Sequence, residues 1–189
     1  MRKINDIPIL SKSNHIPQTL IKWKSKSNRY NNKTLHFFIE DRKFNAIWNN
    51  PKIYDRAIKK YQAVITPDFS LYLDTPEPQQ IWNTYRNRWL GAYWQQKGLT
   101  VIPSVSWSNT DSFDYCFEGI EPQSVVAIST NTVKKSDCSL NYFFRGLDAL
   151  IETISPQKIL CYGEKLRKEI NRHYPFLFVF YPYQFNFML

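Results

Sequence analysis

Short apolar runs alternate with polar or amphipathic stretches along most of the chain. Residues 35–39 (LHFFI), 62–66 (QAVIT), 99–105 (LTVIPSV), 124–129 (SVVAIS), 158–162 (KILCY) and 176–181 (FLFVFY) are continuous apolar runs rather than alternating ones. That is the pattern of strands covered on both faces. Between them, residues 50–61 place Ile53, Tyr54, Ala57, Ile58 and Tyr61 on one side of a helix. Residues 140–154 and 165–173 read as further helices, the former stopped before Pro156. The longest helix follows the strand at 62–66. Asp74 or Thr75 can cap it, Pro76 suits its first turn, Glu77 complements its dipole, and Gly98 ends it after Lys97. Trp82, Tyr85, Trp89 and Tyr93 share one face of it.

Strand, helix and strand of this length form a right-handed crossover between parallel strands. The whole pattern predicts an α/β fold: a single, mostly parallel, doubly wound sheet of about six strands with helices on both faces. An incomplete βα-barrel-like arrangement is the alternative, six units being fewer than the usual eight. No internal repeat or low-complexity segment interrupts it.

Charge divides the chain in two. Residues 1–33 hold eight Lys or Arg against one Asp, whereas the remainder holds 17 bases against 15 acids. Residues 1–33 therefore read as a basic, partly flexible arm, and residues 34–189 as an α/β domain with its aromatic tail docked on the body. Lys22, Trp23, Lys24, Lys26, Arg29, Tyr30 and Lys33 interleave cations with rings, which suits a phosphate backbone and stacked bases. A solvated arm with Trp23 folded back onto the body is the competing reading.

The 189 residues, 43% of them hydrophobic, suit one domain, and the 16% aromatic content predicts a core built on rings. Five glycines argue against a glycine-rich phosphate loop. Cys116, Cys138 and Cys161 are odd in number and lack zinc spacing, so no metal or cofactor is expected and a reducing, cytoplasmic setting is. No signal peptide or membrane span is legible.

Candidate chemistry gathers where parallel strands end, since ligands of open α/β sheets lie beyond the carboxyl ends. Those ends bring Asp41, Asp68, Ser70, Trp107, Ser129 and Glu164 to one edge. Asp68, after a buried strand and Pro67, is the leading candidate, with Ser70 two residues on. An Asx-turn from Asp68 to the Ser70 amide is the competing reading. Asn83 and Arg86 share a side of the long helix, where Arg86 can pair with Asp68 or an anion. Arg88 is expected to point elsewhere, into solvent. Asp41, Asp68 and Glu164 are enough carboxylates for a metal site, without its spacing. His15, His36 and His173 stand apart from any nucleophile.

The run Pro67-Asp68-Phe69-Ser70-Leu71-Tyr72, then Asn83 and Arg86, Gly91 and Gly98, Val101-Ile102-Pro103 with Trp107, and Phe117-Glu118-Gly119-Ile120 resembles an uncharacterised family. It is similar to the family called domain of unknown function 4417, found in bacteria, phages and mobile elements. The resemblance covers roughly residues 35–165. It implies a phage or mobile-element setting and carries no catalytic residues with it. Three expectations follow: a protein binding nucleic acid, or a nucleic-acid-containing complex, through its basic arm; an inhibitor binding a host protein or ribonucleoprotein complex; or an enzyme acting on a nucleotide or phosphodiester at the cleft around Asp68. The absence of a complete catalytic set favours the first two, and no membrane partner is expected.

Overall fold

The computed structural model describes residues 6–27, 29–133 and 136–184. The first residues of the expected arm and residues 185–189 of the expected tail lie outside these. Seven strands are present among the described residues: β1 (Leu20–Lys22), β2 (Thr34–His36), β3 (Ala63–Ile65), β4 (Val101–Ile102), β5 (Val126–Ser129), β6 (Ile159–Tyr162) and β7 (Phe178–Tyr181). Six of them fall on the six apolar runs. The seventh, β1, is only Leu-Ile-Lys inside a basic segment, too short to leave a pattern.

All pairings are parallel. β1 to β4 form one sheet in that order and β5 to β7 a second. A parallel bridge between Ser104 and Ala127 links the two, with the Ala127 amide donating to Pro103 O at 2.8 Å and the Val105 amide to Ala127 O at 2.8 Å. The expected single six-stranded, doubly wound sheet is therefore corrected to two parallel sheets. A doubly wound sheet reverses its strand order at a switch point, and here the order never reverses. Sequential parallel strands are the wind of a βα barrel. Beyond β7, the Gln184 side-chain amide donates to Leu20 O of β1 at 2.6 Å, and Tyr181 Oη donates to Pro17 O at 2.5 Å.

Successive strand residues point into different cores, which explains the continuous apolar runs. Val64 and Val101 pack outward with Leu35, Leu90 and Trp94, whereas Ile65 and Ile102 pack inward with Leu20, Ala127, Leu160 and Tyr181. On the second sheet Val126, Ile128 and Ile159 pack against Phe143, Leu147 and Leu150. Each such side chain contributes roughly 1.5–3 kcal/mol by leaving water.

The helices are α1 (Asn45–Asn49), α2 (Pro51–Ile58), α3 (Glu77–Gln96), α4 (Phe113–Cys116), α5 (Asp137–Ile154) and α6 (Arg167–His173). The expected helix over 50–61 is thus α2, with a separate short α1 before it. α3 lacks the expected cap: Pro76 occupies that position, no side chain caps it, and the Gln79 and Gln80 amides donate to Pro76 O. Gly98, at φ +78°, ends α3 in the left-handed conformation, and Leu99 N donates to Trp94 O at 3.1 Å.

The basic segment is largely laid on the body. Leu10 pairs with Ile120, the Val125 amide donates to Ser13 O at 2.7 Å, and Ile7, Leu10 and Leu20 are buried. The expected arm boundary at residue 33 falls between the paired strands β1 and β2.

Candidate functional site

The turn after β3 shapes the site. Pro67 redirects the chain, and the Phe69 amide donates to Pro67 O at 3.0 Å, leaving Asp68 at the apex of a tight turn. The Ser70 amide and hydroxyl both donate to Asp41, at 3.1 and 2.9 Å. The Asx-turn reading therefore fails: Asp41, not Asp68, holds the Ser70 amide.

α3 fixes this turn from below with a row of polar side chains. Asn83 donates to Ser70 O at 2.7 Å. Asn87 donates to Pro67 O and to Ser104 Oγ, each at 2.8 Å. Gln80 donates to Tyr72 O and Thr75 O and accepts from Ser108 Oγ at 2.6 Å and Tyr115 Oη at 3.1 Å. Arg88 is the centre of the row. It is only 2% exposed, against the expectation of a solvated side chain. It donates to Glu118 O, Ser104 O and Cys116 O at 2.9, 3.0 and 2.8 Å, and to Asn87 Oδ1. Burial lowers its pKa to about 10, with the neighbouring Cys116 and Asp68 acting the other way. Sequence reasoning named Asn83, read Arg88 as solvated and missed Gln80, Thr84 and Asn87, because it followed the aromatic stripe. The signal was present: Gln80, Asn83, Thr84, Asn87, Arg88 and Gly91 recur at helical spacing.

Held this way, Asp68 lines a cleft of about 960 Å³ at the carboxyl ends of the strands. Its Oδ1 is shielded from water and has no hydrogen-bond partner. Burial pushes the carboxyl up to about 7, Ser106 opposes through a hydrogen bond, Asp41 adds to the rise, and Arg88 opposes it. Rings are among the residues lining the cleft. Phe38 stacks on Tyr162 at 5.5 Å, and Tyr162 meets Tyr183 at 5.8 Å. Trp107 packs at 5.8 Å from Phe143. Trp107 Nε1 donates to Tyr142 O at 3.2 Å, and a Cβ at Gly146 would overlap the indole, so only glycine fits beneath it. Lys22 and Lys43 supply positive charge to the lining.

The remaining expected residues divide. Ser129 lines the cleft and accepts from the Asn131 amide. Asn83 supports the turn without lining the cleft. Arg86 lies over the Phe69 ring at 3.9 Å and donates to Asn83 Oδ1, so it pairs with neither Asp68 nor a cleft anion. Glu164 pairs with Arg167 at 2.5 Å and stands outside the lining. Trp23 is 8% exposed, packed on Phe37 and Tyr54, and cannot stack on a base. Tyr30 packs on Tyr61. Lys24, Lys26 and Arg29 are exposed, and Lys33 donates to Ser27 Oγ at 2.9 Å. Lys26, Arg29 and Lys33 share an open depression of about 490 Å³.

His36 is buried in the interior beside Tyr162, and burial lowers its pKa to about 3. Cys116 and Cys161 are buried thiols and Cys138 is exposed at the cleft. Among the described residues, no three or more His, Cys, Asp or Glu side chains are grouped to hold a metal ion. No helix among them is long and apolar enough to cross a membrane.

Two mycobacteriophage proteins are similar to this chain. The Gene 1 protein of Mycobacterium phage L5 is 41% identical over 163 residues, covering 84% of this chain and 71% of the relative. The Gene 1 protein of Mycobacterium phage D29 is 36% identical over 162 residues, covering 84% of this chain and 60% of the relative. The chain thus spans well under the full length of these phage relatives. No solved structure matches it. The family described as Domain of unknown function (DUF4417) matches residues 1–182, and the chain belongs to it.

Proposed function

We propose that this protein binds nucleic acid, taking a nucleotide unit in the strand-end cleft and following the adjoining phosphates with Lys22, Lys24, Lys26, Arg29 and Lys33. The observation that carries this reading is the cleft itself. The exposed rings of Tyr72 and Tyr183 line a space large enough for a nucleotide, and Lys22 lines that space two residues before the exposed basic loop begins. Planar rings offer stacking to a base of any sequence, and lysines offer salt-sensitive attraction to phosphate. The anionic partner meets the protein at an ordered groove, while Trp23 serves the core. The phage relatives give such a function a setting without naming an activity.

The test is a salt-titrated binding assay with single-stranded DNA, duplex DNA and RNA. Two variants accompany the intact chain: Tyr72→Ala, altering a cleft residue that is 60% exposed, and a triple alanine variant at Lys24, Lys26 and Arg29. The triple variant should flatten the salt dependence, by up to about 0.7–0.9 in slope for each phosphate no longer neutralised. Tyr72→Ala should weaken binding at every salt concentration. Failure of the intact chain to bind any of the three nucleic acids would overturn the proposal.

A second reading, inhibition of a host defence complex through protein contact, draws on the outer face of α3. There Trp82 is 46% exposed, stacks on Tyr85 and meets Trp48 edge-on. It expects a stable complex with a host protein that Trp82→Ala abolishes, with nucleic-acid binding unchanged.

A further inference from the structure

The basic loop between β1 and β2 and the segment carrying α2 between β2 and β3 make the same kind of connection. Each leaves the carboxyl end of one strand and returns to the amino end of the next, and the three strands are parallel neighbours in one sheet. Two ring contacts hold the loop beside α2: Trp23 meets Tyr54 edge-on at 5.8 Å, and Tyr30 meets Tyr61 at 5.1 Å. Beside the second contact the Gln62 amide donates to Lys33 O at 3.0 Å. The loop and the helix thus adjoin on the outside of the first sheet.

α2 turns one face to the core. Ile58 is buried, and Tyr54 and Tyr61 pack with it against the outer core. Lys52, Arg56 and Lys59 recur at steps of four and three on the opposite side, with Lys60 next to them, and all four are exposed. Among the described residues, none of the four pairs with a carboxylate. Asp55, the one acid of α2, is held by Lys97 at 3.5 Å and accepts from Tyr93 Oη at 2.9 Å. A face that needs only to be wetted takes charges of both signs. Lys59 suits the carboxyl end of the helix dipole, but Lys52 stands in the first turn, where the dipole disfavours a cation. Helix stability therefore does not account for the row. Alongside it lie the exposed Lys24, Lys26 and Arg29 of the loop.

We propose that α2 and the basic loop together form a track for the backbone of a nucleic-acid polymer, with Lys52, Arg56, Lys59 and Lys60 neutralising phosphates that lie outside the cleft. This rests on the nucleic-acid reading and takes it further: the ligand is a polymer, not a free nucleotide. The eight residues of α2 extend about 12 Å, and a duplex carries one phosphate per about 1.7 Å of its axis, so the row spans several phosphates. Cations of this kind grip phosphate without reading base edges, so the track adds affinity and no sequence preference.

The experiment measures binding of a DNA duplex of about 20 base pairs, a single strand of the same length and a dinucleotide, between about 50 and 200 mM salt. The proteins are the intact chain, Lys52→Gln alone, a triple variant (Lys52→Gln, Arg56→Gln and Lys59→Gln) and a control (Arg145→Gln, Lys168→Gln and Arg172→Gln) that removes the same charge from exposed positions on α5 and α6. Each is checked for folding by circular dichroism. The intact chain should bind both long ligands at least about a hundredfold more tightly than the dinucleotide. The triple variant should bind them about tenfold more weakly at the lower salt, whatever their sequence, and flatten the salt slope by up to about 0.7–0.9 for each phosphate released. Lys52→Gln alone should flatten it by one such step, and the control should stay within about twofold of the intact chain. Equal losses in the triple variant and the control would show an effect of net charge and overturn the track. So would a dinucleotide bound as tightly as the long ligands. Unchanged nucleic-acid binding by the triple variant overturns it too, and loss of phosphatidylserine vesicle binding in that variant would then assign the face to a membrane. All of these leave the nucleic-acid reading standing, whereas failure of the intact chain to bind any of the three ligands overturns both.

Discussion

The two long helices bury opposite kinds of face. α5 buries Phe143, Leu147, Leu150 and Ile154 against the second sheet. α3 buries Gln80, Asn83, Thr84, Asn87 and Arg88 along its amino-terminal and middle turns, and turns to Leu90 and Trp94 only further on. α5 stabilises the fold in the ordinary way, by removing apolar area from water. The buried polar half of α3 gains little of that. Its side chains instead donate to the carbonyls of Pro67, Ser70, Ser104, Cys116 and Glu118, groups in irregular backbone beyond the strand ends. α5 covers a sheet, whereas α3 anchors the turn that carries Asp68.

Breaking the centre of each face should expose the difference. Arg88→Met strips donors from three carbonyls at once, two of them in buried contacts, and should cost about 3–5 kcal/mol in denaturant unfolding, with the cleft turn disordered as well. Leu147→Ala should cost about 2–5 kcal/mol through cavity formation, and leave binding by the remaining folded protein unchanged. Asn87→Ala should cost less, about 1–3 kcal/mol, yet weaken nucleotide binding out of proportion because it removes the side chain that ties the Pro67 turn to α3.

The same contrast between apolar and polar burial explains what could be read from sequence. Apolar runs located β2 to β7, because each strand faces two cores and leaves no polar gap. The same logic could not order the strands, since periodicity records burial and not neighbours; the sequential wind depends on contacts such as Ser104 with Ala127. Asp68 was legible from its place after a strand and Pro67. Arg88 was not, because a charged residue beside an aromatic stripe reads as solvated until the carbonyls that it binds are known. Trp23 misled for the opposite reason: basic neighbours disguised a core residue.

The smallest expected stability effect has an unusual sign. The folded Asp68 carboxyl titrates near 7 against an ordinary 3.8, so the folded state holds this proton where the unfolded chain releases it. Stability attributable to Asp68 is full below pH 3.8 and declines as pH rises through 7. Asp68→Asn should therefore raise the melting temperature at pH 8, by an amount equivalent to something on the order of 1–2 kcal/mol, and change little at pH 4. A melting temperature lowered equally at both pH values would mark Asp68 as a structural turn residue.

The most direct test of the account is a titration of the Asp68 carboxyl carbon by NMR. The account predicts a midpoint near 7. A midpoint near 3.8 would contradict it.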